Sequence, residues 1–262
     1  MRAGILPSMT TTTHALLEVE QLTKHYGRFR AVDSISLQLR AGEIVGLVGP
    51  NGAGKTTALR CCVGILRPSS GHIRVAGYDL QRNEQAAKAR MAFVPELPSL
   101  YPLLTIAEQI EFIARAYGEL APDFAQRRDD LMHRFDLWPQ RHKLCGQLSK
   151  GMRQKTAIAA AFLHGAQVVL LDEPLIGVDP TGMRQLKELI LEARTAGGAI
   201  LVSTHLLDTA ERLCDRIIIM QRGQILAEGT LAELRTMLDH THDTSLEQIF
   251  TELTASTDMS EE

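Results

Sequence analysis

One stretch of the chain decides its fold, Gly49-Pro50-Asn51-Gly52-Ala53-Gly54-Lys55-Thr56. It matches the pattern G-x-x-x-x-G-K-[ST] in full and lies between the apolar run 44–48 and a helix predicted over about residues 55–65. Glycines let backbone N–H groups turn toward a polyphosphate, and the start of the helix adds partial positive charge. We therefore predict a nucleoside triphosphate site in which Lys55 reaches the β and γ phosphates and the Thr56 hydroxyl is a ligand of Mg²⁺.

A second motif supplies two carboxylates to this site. Residues 168–171 are all apolar, and Asp172 and Glu173 follow them directly. Open α/β sheets bind ligands at the carboxyl ends of their strands. Asp172 is therefore suited to hold Mg²⁺ opposite Thr56, directly or through water. Glu173 is suited to orient and deprotonate the attacking water, a task worth roughly 10²–10⁴ in rate.

The pattern around these motifs predicts an α/β fold. Residues 17–22 and 35–39 alternate apolar and polar side chains, as half-solvated antiparallel strands do, whereas the run 44–48 is typical of a strand covered on both faces. Further strands are predicted at 92–94, 168–171, 199–203 and 217–220. Helical patterns between them indicate a phosphate-loop NTPase core with a mostly parallel sheet, an antiparallel β subdomain and an inserted helical subdomain.

The same reading divides the chain into segments. Residues 1–15 are predicted to be a disordered tail, and residues 16–229 the main domain, with the helical subdomain inserted at about 97–163. Residues 230–262 form a short helical tail, in which 230–250 is predicted as two short amphipathic helices with Leu246 and Phe250 on one face.

Composition limits the classes of protein that fit. The chain has 262 residues, of which 45% are hydrophobic and 23% charged, and a formal net charge of -3. These are globular proportions without a basic field, so we expect no nucleic-acid partner. No apolar run approaches the roughly 18–20 residues needed to cross a bilayer. The four cysteines have no metal-like spacing, so we expect them to be reduced and partly buried in a cytosolic protein.

Three further elements narrow the choice among phosphate-loop NTPases. Residues 148–154 read L-S-x-G-x-x-Q, so Ser149 and the Gly151 backbone are candidates for a second phosphate cradle at a helix start, although serine there is most often only a helix cap. Asp179 follows Glu173 closely in the run 177–180. His205 lies two residues after the strand predicted at 199–203, separated from it by Thr204. At this end of the strand it is suited to contact a γ-phosphate.

Together these motifs resemble the ATP-binding subunits of ABC transporters, and the resemblance covers nearly all of residues 16–229. The Walker A loop of this family is matched by residues 49–57, which end at Thr57. The Walker B strand is matched by residues 168–173, and the signature motif is matched by residues 148–154. The run 177–180 resembles the D-loop, and His205 the switch histidine. The resemblance implies ATP as the nucleotide and Mg²⁺ as the metal ion.

Two further positions matter for the predicted nucleotide contacts. Tyr26, upstream of the phosphate loop, fits the aromatic residue that stacks on adenine in this family, with a core tyrosine as the alternative. Glu96 stands where the family usually has a glutamine that touches Mg²⁺ or water and relays motion to the membrane partner. A carboxylate still binds Mg²⁺, but it adds negative charge beside the polyphosphate.

The resemblance also implies partners. Two such subunits pair head to tail around two ATP molecules, so Ser149 and Gly151 are expected to act across a homodimer or a closely related heterodimer. Hydrolysis would drive a separate transmembrane permease subunit, to which this chain would bind on the cytoplasmic face of the membrane. Residues 97–104 would form the contact or, equally, be buried core. Residues 245–250 resemble the C-terminal end of ATPase subunits from export-type systems.

Two other functions compete with transport. One is a soluble ABC-type ATPase acting on ribosomes or nucleic acid, which the single set of motifs and the absence of long heptads or a basic stripe disfavour. The other is a nucleotide-binding module that does not hydrolyse. The presence of all four residues expected to act in hydrolysis argues against it: Lys55, Asp172, Glu173 and His205.

Overall fold

The computed structural model describes residues 15–118, 122–238 and 244–258, so the predicted N-terminal tail lies outside the described residues except for Ala15. The strands in these ranges are β1 (Ala15–Tyr26), β2 (Phe29–Arg40), β3 (Ile44–Val48), β4 (Ser70–Val75), β5 (Tyr78–Asp79), β6 (Met91–Val94), β7 (Val168–Asp172), β8 (Ala199–Thr204), β9 (Arg216–Gln221) and β10 (Gln224–Gly229). They form a four-stranded sheet in the order β2-β1-β4-β5 and a six-stranded sheet in the order β10-β9-β3-β8-β7-β6.

The four-stranded sheet is antiparallel, as predicted from the alternating pattern. Strands β1 and β2 form a hairpin in which Leu17 pairs with Leu39 and Tyr26 with Phe29. The alternate apolar side chains on both strands are buried on one face of the sheet.

The six-stranded sheet carries the site. Neighbours from β9 to β6 run parallel, and only β10 pairs antiparallel with β9. Every residue of β3, β7 and β8 is buried, which explains their continuous apolar sequences. The register pairs Val48 with Thr204 and Asp172 with Ser203, so the ends of β3, β7 and β8 meet at one edge of the sheet. The predicted mostly parallel α/β fold is confirmed.

The α-helices in the described ranges are α1 (Lys55–Cys62), α2 (Glu84–Lys88), α3 (Ile106–Ala116), α4 (Phe124–Arg134), α5 (Lys150–Leu163), α6 (Pro180–Thr195), α7 (Leu207–Leu213), α8 (Leu231–Met237) and α9 (Leu246–Asp258). The prediction that α1 reaches Ile65 is wrong. The helix ends earlier because Gly64, at a φ of 69°, donates its N–H to the Cys61 carbonyl and turns the chain.

Two large apolar clusters lie on the opposite faces of the parallel sheet. Val45 and Leu47 of β3 point into the cluster shared with α1 and the antiparallel sheet, whereas Ile44 points into the cluster shared with helices α3, α4, α5 and α6. Because successive side chains of a strand point to opposite faces of the sheet, Ile44 and its neighbour Val45 belong to different clusters.

The C-terminal segment is part of this packing. Helix α9 extends to Asp258, beyond the predicted end at Phe250, and Leu246 and Ile249 are fully buried. They join a third cluster, on the side of the sheet next to β9, with Val48 and Ala210. The predicted shared face of Leu246 and Phe250 agrees with this packing, since Phe250 is half-buried against the same cluster.

The cysteine side chains lie mostly in the interior of the protein, as expected. Three of the four thiols are buried and Cys214 is half-buried, and all four are free. Burial raises the pKa of the Cys61 thiol to about 11. In the described ranges, no helix combines the length and the apolar character needed to span a bilayer.

The strand that leads into the phosphate loop lies in the core and contributes to stability. Replacing fully buried Leu47 by alanine removes core contacts on β3 and leaves a cavity, so Leu47→Ala is expected to lower the free energy of unfolding by about 2–5 kcal/mol in urea denaturation. Leu191→Ala on α6 is the matched control, because that side chain is 42% exposed. Equal losses in the two variants would contradict the assignment of Leu47 to the core.

Candidate active site

The phosphate loop has a backbone that only glycine allows at key points. Gly54, directly before α1, has a φ of 102°, and a Cβ there would lie 2.4 Å from the carbonyl oxygen of Ala31. A Cβ on Gly49 would lie 2.3 Å from the carbonyl oxygen of Met220. The loop therefore packs closely against β2 of the antiparallel sheet at Gly54 and against β9 at Gly49. Neither position has room for a side chain, which explains why glycine occurs at both.

Lys55 folds back over this loop. Its ammonium group donates hydrogen bonds to the carbonyl oxygens of Gly49, at 2.6 Å, and Pro50, at 3.1 Å, and the residue is only 7% exposed. Burial lowers the pKa of the Lys55 ammonium. Three carboxylates oppose this shift, those of Glu173, Asp172 and Glu96. The loop thus holds a buried cation that is bonded to two carbonyl oxygens and lies among acidic groups.

Asp172 sits at the end of β7, where three elements meet. Its Oδ1 accepts hydrogen bonds from the Ser203 hydroxyl at 2.6 Å and from the Thr56 hydroxyl at 3.1 Å. Its Oδ2 is buried without a protein partner. Carboxylate and hydroxyl oxygens are of the type that Mg²⁺ takes as ligands, so the unpartnered oxygen beside Thr56 fits a metal ion. In the described part of the chain, no group of three or more histidine, cysteine, aspartate and glutamate residues has the arrangement of a metal site of its own.

Glu173 is held in an uncommon backbone conformation directly after β7. Its φ is 47°, in the left-handed region that non-glycine residues rarely adopt. Its N–H donates to the carbonyl and hydroxyl oxygens of Ser203, each at 3.1 Å, and these bonds hold the conformation. One carboxylate oxygen lies 3.0 Å from Nδ1 of His205, and the other is buried without a protein partner. The free oxygen is available to a water molecule.

Most of the predicted nucleotide contacts line one cavity of about 260 Å³. The sequence-predicted residues among its lining are Tyr26, Asn51, Gly52, Ala53, Gly54, Lys55, Thr56, Thr57, Glu96 and Glu173. The lining also includes Phe29, which the sequence analysis missed. Because Tyr26 and Phe29 pair across the β1–β2 hairpin and are 47% and 65% exposed, the alternative of a core tyrosine is wrong.

A second group of predicted residues lies apart from this cavity. The Ser149 hydroxyl caps α5 by accepting the Met152 N–H at 3.3 Å, and a Cβ on Gly151 would meet the Gly177 carbonyl oxygen at 2.6 Å. Asp179 caps α6 and pairs with Lys155 at 2.5 Å. This ion pair keeps the pKa of the Asp179 carboxyl below its ordinary value.

The two groups are connected behind the site. The side-chain nitrogen of Gln154, on α5, lies 3.5 Å from the carbonyl oxygens of both Pro95 and Pro174. Pro95 precedes Glu96, and Pro174 follows Glu173. The buried amide of Gln154 therefore contacts the two loops that carry Glu96 and Glu173. Gln154 ends the motif at 148–154, but its contacts to these loops are not visible in the sequence, and no local sequence pattern identifies Ser203.

Comparison with known proteins agrees with this geometry. The family profile described as ABC transporter matches residues 32–176. The ABC-type transporter ATP-binding protein EcsA of Bacillus subtilis (strain 168) is 37% identical over 92% of this chain and 97% of its own length. Nod factor export ATP-binding protein I of Paraburkholderia xenovorans (strain LB400) is 34% identical over 84% of this chain and 72% of its own.

Solved structures lead to the same family. The structure of an ATP-binding subunit of an ABC transporter superposes with a TM-score of 0.88 at 36% identity, covering 91% of this chain and 99% of that one. The profile match covers more than half of the chain, and the match to EcsA covers almost the whole length of both proteins. The chain belongs to the ABC transporter ATP-binding subunits and is an ATPase.

Proposed function

We propose that the chain drives export through a separate membrane subunit, as one half of a head-to-tail ATPase dimer. The dimer is supported mainly by one observation: the phosphate loop and the proposed second phosphate cradle, at Ser149 and Gly151, lie apart from each other in the chain's own fold. The cavity at the phosphate loop includes none of Ser149, Gly151 or Asp179 in its lining. Ser149 and Gly151 are at an exposed helix start that would need another subunit's phosphate loop to complete a site.

Within the site, each residue has a distinct proposed role. The phosphate loop and Lys55 bind the polyphosphate, and Tyr26 stacks on the adenine. Glu173 accepts a proton from the attacking water through its unpartnered oxygen, while His205 holds the other carboxylate oxygen at 3.0 Å and reaches toward the γ-phosphate. Asp179 positions the start of α6 beside the partner subunit.

The proposed metal ion is Mg²⁺, held by the Thr56 hydroxyl and the unpartnered Asp172 oxygen. When bound, Mg²⁺ neutralises charge on the β- and γ-phosphate oxygens. Glu96 lines the same cavity and is an additional oxygen ligand, directly or through water. Its extra negative charge makes the site more dependent on the metal ion than a glutamine would.

The proposed membrane partner contacts the exposed surface that follows Glu96. Leu97, Tyr101 and Leu103 are 66%, 53% and 82% exposed, so the contact interpretation of residues 97–104 is favoured over the buried one. A subunit attached there would lie on the cytoplasmic face of the membrane. Export, rather than import, is supported by the similarity to the Nod factor export protein and by the sequence of residues 245–250.

The general-base role predicts the behaviour of Glu173→Gln. The amide cannot accept the proton of the attacking water, so ATP hydrolysis is expected to fall at least about 100-fold, while ATP binding stays within about threefold. Steady-state phosphate release and calorimetric titration with ATP measure the two quantities. Asp208→Asn, on α7, is a control for removing one carboxylate charge near the site. Hydrolysis by Glu173→Gln at the wild-type rate would disprove the role.

The composite site predicts complementation between two inactive variants. Ser149→Arg should block the partner's site, and Lys55→Ala should weaken phosphate binding in its own, so each homodimer is expected to lose nearly all hydrolysis. A mixed dimer keeps one intact site, so mixing the two proteins should restore roughly a tenth to a half of wild-type activity. Titrating one variant into the other while following phosphate release tests this. No recovery at any ratio would rule out sites shared between subunits.

A further inference from the structure

The C-terminal segment packs against α7, the helix that follows His205, and against the end of β3. Leu246 and Ile249, within the stretch 245–250 singled out from the sequence, are fully buried. They share a cluster with Ala210 of α7 and with Val48, the last residue of β3 before the phosphate loop. Residues 244–258 are therefore packed against the ATPase domain as part of its core.

Glu211 on α7 is the polar link to this segment. Its Oε2 accepts a hydrogen bond from the N–H of Leu246 at 2.8 Å, which caps the start of α9. Its Oε1 lies 3.8 Å from Arg235, and Arg235 donates a second bond to the carbonyl oxygen of Thr244 at 2.7 Å. One carboxylate thus joins α7 to α8 and to the beginning of α9.

Helix α7 in turn fixes the chain that carries His205. It begins two residues after this histidine, and no side chain caps its start. The backbone N–H of Leu206 donates to the Thr204 hydroxyl at 3.0 Å, and the Leu206 carbonyl accepts from Ala210 at 3.1 Å. A helix of seven residues is marginal without tertiary contacts, so its position depends on what it packs against.

We infer that residues 244–258 are a positioning element for catalysis and that Glu211 is the positioning residue through which they hold His205 beside Glu173. The inference rests on the proposed role of His205. It concerns turnover and not nucleotide affinity, because Glu211 does not line the nucleotide cavity and its hydrogen bond can be removed while the apolar packing against Val48 stays.

Three variants of the full chain separate this role from a loss of charge. Glu211→Ala removes the acceptor for the Leu246 N–H, so kcat is expected to fall about 5- to 30-fold, with KM for ATP within about twofold. Glu211→Gln keeps an acceptor oxygen and should stay within about twofold of wild type in both constants. Glu247→Ala removes a carboxylate from the exposed face of α9 and should behave as wild type.

Hydrogen exchange tells positioning from general destabilisation. In Glu211→Ala, amides of residues 205–213 should exchange faster, while those of α1 at the phosphate loop are unchanged. In the His205→Ala background, Glu211→Ala should cause no further loss of kcat, since the residue it positions is already absent. Faster exchange throughout the chain, or an equal loss of kcat in Glu211→Gln, would overturn the inference.

The failures of the two hypotheses are distinguishable. Wild-type turnover by Glu211→Ala together with strongly reduced turnover by His205→Ala would overturn the positioning role alone. Wild-type turnover by His205→Ala would instead refute the proposed role of the histidine, and the positioning role would fall with it.

Discussion

The site depends on the hydrogen bonds of one hydroxyl group, that of Ser203. It donates to Asp172 at 2.6 Å and accepts from the Glu173 N–H at 3.1 Å, so it holds the Asp172 carboxylate and the Glu173 backbone against the end of β8. The parallel register that pairs Asp172 with Ser203 makes these contacts possible. Without this hydroxyl, the left-handed backbone of Glu173 would keep only its hydrogen bond to the Ser203 carbonyl, and Asp172 would lose its shortest hydrogen bond.

This arrangement explains why the two carboxylates have different surroundings although they are adjacent in sequence. Asp172 is 1% exposed and bonded to hydroxyl groups, which suits a metal ligand. Glu173 contacts His205, a residue at the exposed end of the next strand, which suits a group that must reach a water molecule. Buried polar atoms are normally hydrogen-bonded, so the unpartnered oxygen on each residue fits a bound metal ion or a water molecule.

Much of the fold and of the nucleotide site could be predicted because the signals are local. The phosphate-loop glycines and the buried strand ending in Asp172 each occupy a few consecutive residues, and the apolar patterns gave the strand types. β10 was not predicted, because Gln224–Gly229 has only a short apolar core, and its pairing depends on the turn at Arg222 and Gly223, both with positive φ.

Other features depend on contacts between distant parts of the chain. In the sequence, Ser203 is not distinguishable from other small strand residues, and its role depends on the pairing of β8 with β7. Phe29 lines the cavity because the hairpin register sets it opposite Tyr26. The link from Glu211 to Leu246 joins residues 35 positions apart. Such contacts are set by topology and register, which a single sequence does not determine residue by residue.

In the proposed mechanism, the ATPase site is completed by a second subunit. The most direct test is an experimental structure of the Glu173→Gln protein with ATP and Mg²⁺. We expect a head-to-tail dimer in which the γ-phosphate at one phosphate loop contacts Ser149 and Gly151 of the partner subunit. An ATP-bound protein whose phosphates are contacted by residues of a single chain alone would contradict it.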